Sequence, residues 1–518
     1  MNATSSSRLL TSWLIGLGLL ALSAAAGLAV LEARDNLNLS GELVGEPVPP
    51  AELAPPPARR VLLVLVDGLR GDVSRTLPTF QRLAREGASA SLISSLPSYS
   101  SAQYVSLLTG VPPRNSGIRT NDSLRRVALD SVPARLVAQG RTAVAIGDEV
   151  DWWGQLFGGG FAQVEVVPPR AMVERARALF PRADLVLVHL CGVDAAGHVF
   201  GAASPQYAKA TQAADTTLEA LLEAWGYPAS PVVVMSDHGH IAEGGHGGAE
   251  PEVLETELLL AGPGVLPGAR ASAPLKMVDV APTLAALLGV PPPAQAQGRT
   301  ATELLDLPRA RLAEWERADA QRREEARVRA DAALQARLAE ERPAQALRAL
   351  LVAAVLGAWL LAARGVREAW LGPVAGLSTL LLVVVLFICM GRHLSYSGWA
   401  GSTVRAVGLT VVCTAVVLWQ LGRTSQALGW RRVVLASGMV LGFSVPAAAL
   451  FVLVGAFAPR VQCEPSAYAA APLLAYAALC VNAAMACAWL LAEVLASKRR
   501  APSTPEAPQR SAQVDGGT

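Results

Sequence analysis

The chain has 518 residues, 52% of them hydrophobic, and its mean hydropathy is +0.36. That composition excludes an ordinary soluble protein and indicates membrane-spanning segments, and the length indicates more than one domain. The formal net charge of +2 provides no large basic surface, so no nucleic-acid partner is predicted. Six cysteines without a Cys-x-x-Cys pair indicate neither a disulfide framework nor a zinc–thiolate site.

The amino-terminal region is typical of a membrane anchor followed by a stiff spacer. Within residues 1–32, an apolar run from Leu9 to Leu31 is long enough to span a bilayer. Small residues at 21–26 leave a cleaved signal peptide as the alternative, and either interpretation exports the segment that follows. Residues 33–59 are rich in proline and predict an extended linker.

Residues 60–306 have the pattern of a folded α/β domain. Three apolar runs, at 61–66, 184–190 and 231–235, are typical of buried parallel strands. The predicted fold class is therefore α/β, with a mostly parallel central sheet flanked by helices, together with an α-helical transmembrane domain.

Each of these runs is followed by side chains that bind metals. The set comprises Asp67, Asp194, His198, Asp237, His238 and His246. Since the carboxyl ends of parallel strands meet at one edge of a sheet, we expect these groups to converge. Mixed histidine and aspartate ligands favour zinc, with manganese or iron as alternatives, and six ligands suffice for two ions. The competing interpretation is that they are caps, turn residues and surface polar groups.

Ser100 begins a predicted helix that ends near Gly110. The free N–H groups of a helix amino terminus favour an anion, so Ser100 is a candidate nucleophile there. The spacing alone supports an N-cap role equally well. Two further histidines are not predicted to be metal ligands. We interpret His189 as a hydrogen-bonded buried side chain and His240 as a residue that contacts a metal ligand.

The carboxy-terminal part predicts a helical membrane region. Residues 307–343 are dense in arginine, glutamate and alanine and predict a charged helix, either a solvated stalk or a helix lying on a surface. Residues 344–496 hold five apolar runs and predict a five-helix transmembrane domain. The Pro/Ser/Gln-rich segment 497–518 predicts a disordered cytoplasmic tail.

The distribution of basic residues predicts the orientation. With the amino terminus in the cytoplasm, the cytoplasmic loops carry Arg364, Arg367, Arg423, Arg431, Arg432, Lys498, Arg499 and Arg500, whereas the short outer loops carry Arg392, Arg405 and Arg460. This asymmetry follows the positive-inside rule. We therefore predict an integral protein of a bacterial inner membrane, with residues 60–306 outside the cytoplasm.

The ordered motifs resemble the alkaline phosphatase superfamily, in the branch of type I phosphodiesterases and nucleotide pyrophosphatases. They are Val-Asp67-Gly, the segment from Pro97 to Gly110, Asp194-x-x-x-His198, Ser-Asp237-His-Gly and Gly-Gly-His246-Gly-Gly. The overall plan, with one span, a domain and further spans, resembles the GPI ethanolamine phosphate transferases. Because the chain lacks the Cys/Ser-x-Pro-x-Arg signature after Ser100, it does not resemble the sulfatases of the superfamily.

The resemblance implies roles for individual residues. One zinc ion would be held by Asp194, His198 and His246, and the other by Asp67, Asp237, His238 and the oxygen of Ser100. Ser100 stands where many relatives have threonine, and it would be the nucleophile. Gln103 replaces an asparagine that binds a phosphoryl oxygen in relatives, and it is the candidate substrate-binding residue.

The function that this resemblance implies is phosphodiester chemistry outside the cytoplasm through a phosphoseryl intermediate. Two versions remain open, a phosphoethanolamine-type transferase and a phosphodiesterase. Both predict a phosphodiester or phospholipid substrate and membrane lipids as partners. The alternative is a catalytically inactive membrane protein that uses a degenerate phosphatase-like domain for binding. The sequence makes no prediction of the oligomeric state.

Overall fold

The computed structural model describes residues 13–26, 58–119, 121, 125–389, 397–398, 403–425, 429–455 and 466–499. The predicted linker falls outside these residues up to position 57, and so does the predicted tail from position 500.

Eight strands form one sheet in the order β4-β3-β5-β1-β6-β7-β2-β8. They are β1 Val61–Val66, β2 Ala88–Ile93, β3 Ala143–Gly147, β4 Gln163–Val166, β5 Leu185–Leu190, β6 Val232–Met235, β7 Glu255–Ala261 and β8 Leu275–Lys276. Only β7 is antiparallel to its neighbours, β6 and β2. The predicted mostly parallel sheet is therefore confirmed.

Helices cover both faces of this sheet and continue beyond it. They are α1 Trp13–Ala26, α2 Gly71–Ser74, α3 Pro78–Glu86, α4 Ser100–Thr109, α5 Pro113–Ser116, α6 Val132–Ala138, α7 Trp152–Phe157, α8 Met172–Leu179, α9 Gly192–Phe200, α10 Pro205–Trp225, α11 Pro251–Leu254, α12 Val280–Leu288, α13 Arg309–Ala363, α14 Leu371–Cys389, α15 Thr403–Thr424, α16 Trp430–Gly455 and α17 Ser466–Arg499.

The central strand β1 shows why the sheet is buried on both faces. Leu63 and Leu65 face a core formed with α4, α6 and α12, while Leu62 and Val64 face a second core formed with α3, α8 and α10. Every residue of β1 is fully buried. The unbroken apolar run in the sequence thus corresponds to a strand between two helical layers.

Helix α13 joins the α/β domain to the apolar helices. Its first part lies against the domain, where Asp319 accepts a hydrogen bond from the backbone N–H of Thr300 (3.1 Å). Arg322 also donates to the carbonyl of Gly298 (2.9 Å). The helix then passes Pro343 without interruption and so crosses the predicted boundary between the charged segment and the first carboxy-terminal span.

Two stretches of the described residues are long and apolar enough to cross a bilayer, judged by length and composition. They are Arg342–Ala363 and Val407–Thr424. Shorter apolar helical stretches lie at Trp13–Ala26, Leu371–Val383 and Leu479–Glu493. Helix α1 contacts the carboxy-terminal apolar helices, where Leu20 packs with Val433 of α16 and Leu490 of α17.

Candidate metal centre

Three neighbouring strands bring the predicted ligands together. Strand β1 lies between β5 and β6 and is parallel to both. Asp67 follows β1 directly, Asp194 lies in α9 just after β5, and Asp237 lies two residues after β6. All three carboxylates therefore lie at the carboxyl edge of the sheet, where open α/β sheets bind ligands.

Four groups, which we call the buried set, surround one point: Asp67, Asp237, His238 and Ser100. The Nε2 atom of His238 lies 3.4 Å from Oδ1 of Asp67 and 3.3 Å from Oδ2 of Asp237. It also lies 3.1 Å from the Oγ atom of Ser100. Although Asp237 and His238 are adjacent in the chain, their side chains thus face the same point.

Ser100 is the first residue of α4, and Tyr99 occupies the N-cap position. The N-cap interpretation of Ser100 is therefore wrong. Its hydroxyl instead contacts Nε2 of His238, from the end of the helix where backbone N–H groups are free of intrahelical partners.

Three further groups, which we call the open set, meet next to the buried set: Asp194, His198 and His246. The Nε2 atoms of His198 and His246 are 3.0 Å apart. Asp194 approaches both, with Oδ2 at 3.5 Å from His198 and Oδ1 at 3.8 Å from His246. The side chain of His198 is 42% exposed, so this set is accessible to solvent.

The buried set and the open set are directly adjacent. The rings of His238 and His246 are stacked, with centroids 3.8 Å apart. Among the described residues, ligand atoms within 4.8 Å of one another occur in four groups: Asp67 with Asp237 and His238, Asp194 with His238 and His246, Asp194 with His198 and His240, and Asp67 with His189 and Cys191. The predicted metal ligands are thus all brought to one place.

Two carboxylate oxygens of the buried set are buried without a hydrogen-bond partner, Oδ1 of Asp67 and Oδ2 of Asp237. Burial and the nearby charge of Asp67 raise the pKa of Asp237 well above its ordinary value. Two unsatisfied carboxylate oxygens close together are costly in a protein interior. A divalent cation between them would satisfy both, so the residues of this set fit a metal ion.

The histidines are suited to metal binding. Burial lowers the pKa of both His238 and His246 below the ordinary value of 6.5. The neutral imidazole, which is the form that coordinates metals, is therefore favoured at neutral pH. Burial opposes ionisation of Asp194, but a hydrogen bond from His240 and the nearby His246 outweigh it, and its pKa is lowered.

Gln103 lies one turn after Ser100 and is fully buried. Its Oε1 atom accepts from the N–H of Ser95 (2.8 Å), and its Nε2 atom donates to the carbonyls of Ser95 (2.8 Å) and Pro97 (2.9 Å). Gln103 therefore fixes the loop before Ser100, and its contact with a phosphoryl oxygen stays a prediction.

Asn121, which the sequence analysis missed, accepts a hydrogen bond from the N–H of Ser101 (3.0 Å) and so lies beside Ser100.

Two glycines allow the elements of the centre to approach closely. Gly68 has φ +70°, and a Cβ atom there would lie 2.9 Å from Cβ of Asp194. A Cβ atom at Gly197 would lie 2.5 Å from Nε2 of His240. Side chains at these two positions would push α9 and His240 away from the sheet.

The loop after His246 contacts the helical region. Ser397, which lies between α14 and α15, accepts a hydrogen bond from the N–H of Gly248 (2.9 Å) and donates one to Oε2 of Glu250 (2.7 Å). The segment that carries an open-set histidine is therefore tied to the segment between two apolar helices.

Residues 61–155 and 166–248 match the family model described as "Type I phosphodiesterase / nucleotide pyrophosphatase". These ranges contain the predicted metal ligands and Ser100. This match over part of the chain confirms the resemblance found in the motifs.

The chain is also similar to several known proteins. It is 29% identical over 287 residues to human "GPI ethanolamine phosphate transferase 3, catalytic subunit", covering 47% of this chain and 26% of that one. It is 26% identical over 299 residues to Aspergillus fumigatus "GPI ethanolamine phosphate transferase 2", and this match covers 49% of this chain and 38% of that one. The matched region is thus well under half the length of these relatives.

Among solved structures, murine ectonucleotide pyrophosphatase/phosphodiesterase 5 has a TM-score of 0.40 and 15% identity, covering 45% of this chain and 95% of that one. Wild-type alkaline phosphatase PafA has a TM-score of 0.42 and 12% identity, and the match covers 49% of this chain and 100% of that one.

Proposed function

We propose that this chain is a two-zinc phosphoester enzyme that acts on phosphodiesters through a phosphoseryl intermediate. The single observation that carries the proposal is the convergence at Nε2 of His238, which lies 3.1 Å from the Ser100 hydroxyl oxygen and 3.3 to 3.4 Å from two buried carboxylate oxygens without hydrogen-bond partners. Homology to the phosphodiesterase family and to the phosphoethanolamine transferases supports a phosphoester as the substrate.

The buried set would hold one zinc ion and the open set the other. When bound, the ions would lower the pKa of the serine hydroxyl and balance negative charge on the phosphoryl oxygens. Manganese is the alternative metal, because the oxygen and imidazole ligands suit it as well.

The chain's own residues would then position two successive displacements. The Oγ atom of Ser100 loses its proton to solvent and forms a bond to phosphorus while the bond from phosphorus to the leaving oxygen breaks, and the leaving oxygen takes up a proton. The oxygen of a water or hydroxyl acceptor then loses its proton to solvent and bonds to phosphorus, while the bond from phosphorus to Oγ breaks and Ser100 regains a proton. Asn121, whose Oδ1 atom accepts from the N–H of Ser101 at the amino end of α4, would contact a phosphoryl oxygen through its side-chain amide.

The open set is the side from which an acceptor could arrive. His198 is partly exposed, whereas the side chains of Asp237 and His238 are fully buried. We therefore propose that substrate and acceptor enter past His198. Water as the acceptor gives a phosphodiesterase, and a sugar hydroxyl gives a phosphoethanolamine-type transferase.

We further propose that the chain is an integral protein of a bacterial inner membrane with the α/β domain outside the cytoplasm. The apolar helices and the distribution of arginine support this orientation. Protease added to intact spheroplasts should release the domain, and protection until lysis would place it in the cytoplasm.

The direct test of activity is turnover of a chromogenic phosphodiester by the full chain in detergent. We expect Ser100→Ala to reduce turnover by about a thousandfold or more, because it removes the nucleophile. The matched control is Ser106→Ala in the same helix, whose hydroxyl donates to the backbone carbonyl of Ala102 (3.0 Å). Equal activity of wild type and Ser100→Ala would overturn the mechanism.

A second assay separates transfer from hydrolysis. Phosphatidylethanolamine labelled in its head group is incubated with the enzyme, with and without a glycan acceptor. Label on the glycan supports the transferase, whereas release into water regardless of acceptor supports the phosphodiesterase. Quenched wild-type enzyme should carry the phosphoryl group on Ser100 in either case.

A further inference from the structure

Tyr104, His189 and His240 lie outside the ligand sets but contact two of the aspartate ligands. We propose that Tyr104 with His189, and separately His240, are positioning residues. Each fixes one carboxylate oxygen so that the other faces the metal. This inference rests on the proposed function, because it requires that Asp67 and Asp194 bind metal ions.

In the buried set, the fixed oxygen is Oδ2 of Asp67. The Tyr104 hydroxyl donates a hydrogen bond to it, and Nε2 of His189 lies 2.9 Å from it. Nε2 of His189 is also 3.1 Å from the Tyr104 oxygen. When Nε2 of His189 carries the proton, it can donate to both Oδ2 of Asp67 and the Tyr104 oxygen. Oδ1, the oxygen that faces His238, has no hydrogen-bond partner.

In the open set, the fixed oxygen is Oδ1 of Asp194. Nε2 of His240 lies 2.8 Å from it, and the backbone N–H of Gly245 donates to Nδ1 of His240 (3.1 Å). Because Nδ1 is an acceptor, the proton must be on Nε2, which therefore donates to Asp194. Oδ2 of Asp194 is left on the side of His198.

The surroundings fix both supports in place. The Tyr104 and His189 rings pack against Trp153, at centroid distances of 4.9 and 5.5 Å. His240 is fully buried in the space that the missing side chain of Gly197 leaves open. Each carboxylate is therefore held in one orientation before a metal arrives, which lowers the cost of ordering it on binding.

The test measures zinc affinity by competition with a chromophoric chelator, using the full chain in detergent. Tyr104→Phe removes one hydroxyl and keeps the ring, and His240→Leu removes the donor to Asp194. We expect each variant to weaken one of two zinc sites by about 10- to 100-fold and leave the other unchanged. His189→Leu should resemble Tyr104→Phe, and His189→Gln should restore part of the affinity because its amide can donate to Oδ2.

A double-variant comparison identifies the site that is affected. Combined with His198→Ala, which removes an open-set ligand, Tyr104→Phe should give an additive loss, because it acts on the other site. His240→Leu should give a non-additive loss, since both changes act on the same site. Trp153→Phe, which keeps an aromatic ring against Tyr104 and His189 and removes no hydrogen bond to Asp67, is the control and should keep both affinities.

Each outcome decides the inference. Unchanged zinc affinities in Tyr104→Phe and His240→Leu, or equal losses at both sites with equal losses in Trp153→Phe, would overturn it while leaving the proposed function intact. A third zinc ion that Cys191→Ala removes would also overturn it, because His189 and Cys191 would then be ligands. A wild-type chain that binds no zinc would overturn the proposed function as well.

Discussion

The two ligand sets differ in how they are built. The buried set lies at the ends of central strands, and its ligands Asp237 and His238 are fully buried. The open set combines a helix with a glycine-rich loop, and its His198 is 42% exposed. Burial leaves unsatisfied oxygens in the first set, whereas solvent can replace a lost ligand in the second. The buried set should therefore bind its metal more tightly, and the open set should be the place of exchange with substrate.

The strongest test of this difference is Asp237→Asn. The substitution removes a negative ligand from a fully buried position, so we expect loss of one zinc ion per chain and at least about a thousandfold loss of turnover. Metal analysis and the chromogenic assay measure both. The buried set would not be the tighter site if the variant kept its full zinc content.

An open-set substitution should have a smaller effect. In His198→Ala, a water molecule can occupy the vacated position because the side chain is already partly exposed. We expect zinc affinity at that site and turnover each to fall by about 10- to 100-fold. The same assays apply, and a loss as large as that in Asp237→Asn would remove the distinction between the sets.

The pH dependence of the metal-free protein tests the buried charge. Burial and Asp67 raise the folded-state pKa of Asp237, so stability is lost as the pH rises from the ordinary pKa of the carboxyl group through the raised one. Metal-free Asp237→Asn should therefore melt at a higher temperature than wild type at neutral pH. The difference should shrink as the pH falls and the wild-type carboxyl group is protonated. Thermal melts in chelator measure this, and a pH-independent difference would contradict the raised pKa.

The smallest expected effect is at the contact between the two parts of the chain. Ser397→Ala removes hydrogen bonds to Gly248 and Glu250, each of which contributes about 1 kcal/mol. We expect KM for a lipid substrate to rise by about threefold to tenfold, with turnover of the soluble diester changed by less than about twofold. The matched control is Ser425→Ala, which removes a similar bond to Glu368 (2.8 Å) away from the site. Equal effects of both variants on the lipid substrate would contradict a specific role for this contact.

The sequence predicted the parts of the centre that follow buried strands. Asp67 and Asp237 could be identified because an unbroken apolar run ends just before each of them, and parallel strands end at a common edge. Likewise, the Asp194 and His198 spacing of four residues places both side chains on one face of α9.

The sequence assigned supporting roles to His189 and His240, but it predicted neither their partners nor the role of Tyr104. Tyr104 contacts Asp67 across 37 positions, and His240 contacts Asp194 across 46. Such contacts depend on how helices pack on the sheet, which hydrophobic periodicity does not specify. The sequence did contain one indication of this packing, the glycines at positions 68 and 197. Close packing at both positions requires the absence of a side chain.

The proposed function requires two metal ions beside Ser100, one in each ligand set. Anomalous scattering at the zinc absorption edge, measured on crystals of the zinc-loaded full chain, tests it most directly. We expect two peaks, one among Asp67, Asp237 and His238 and the other among Asp194, His198 and His246. No peak at either set, or peaks only where Ser100 is out of reach, would contradict it.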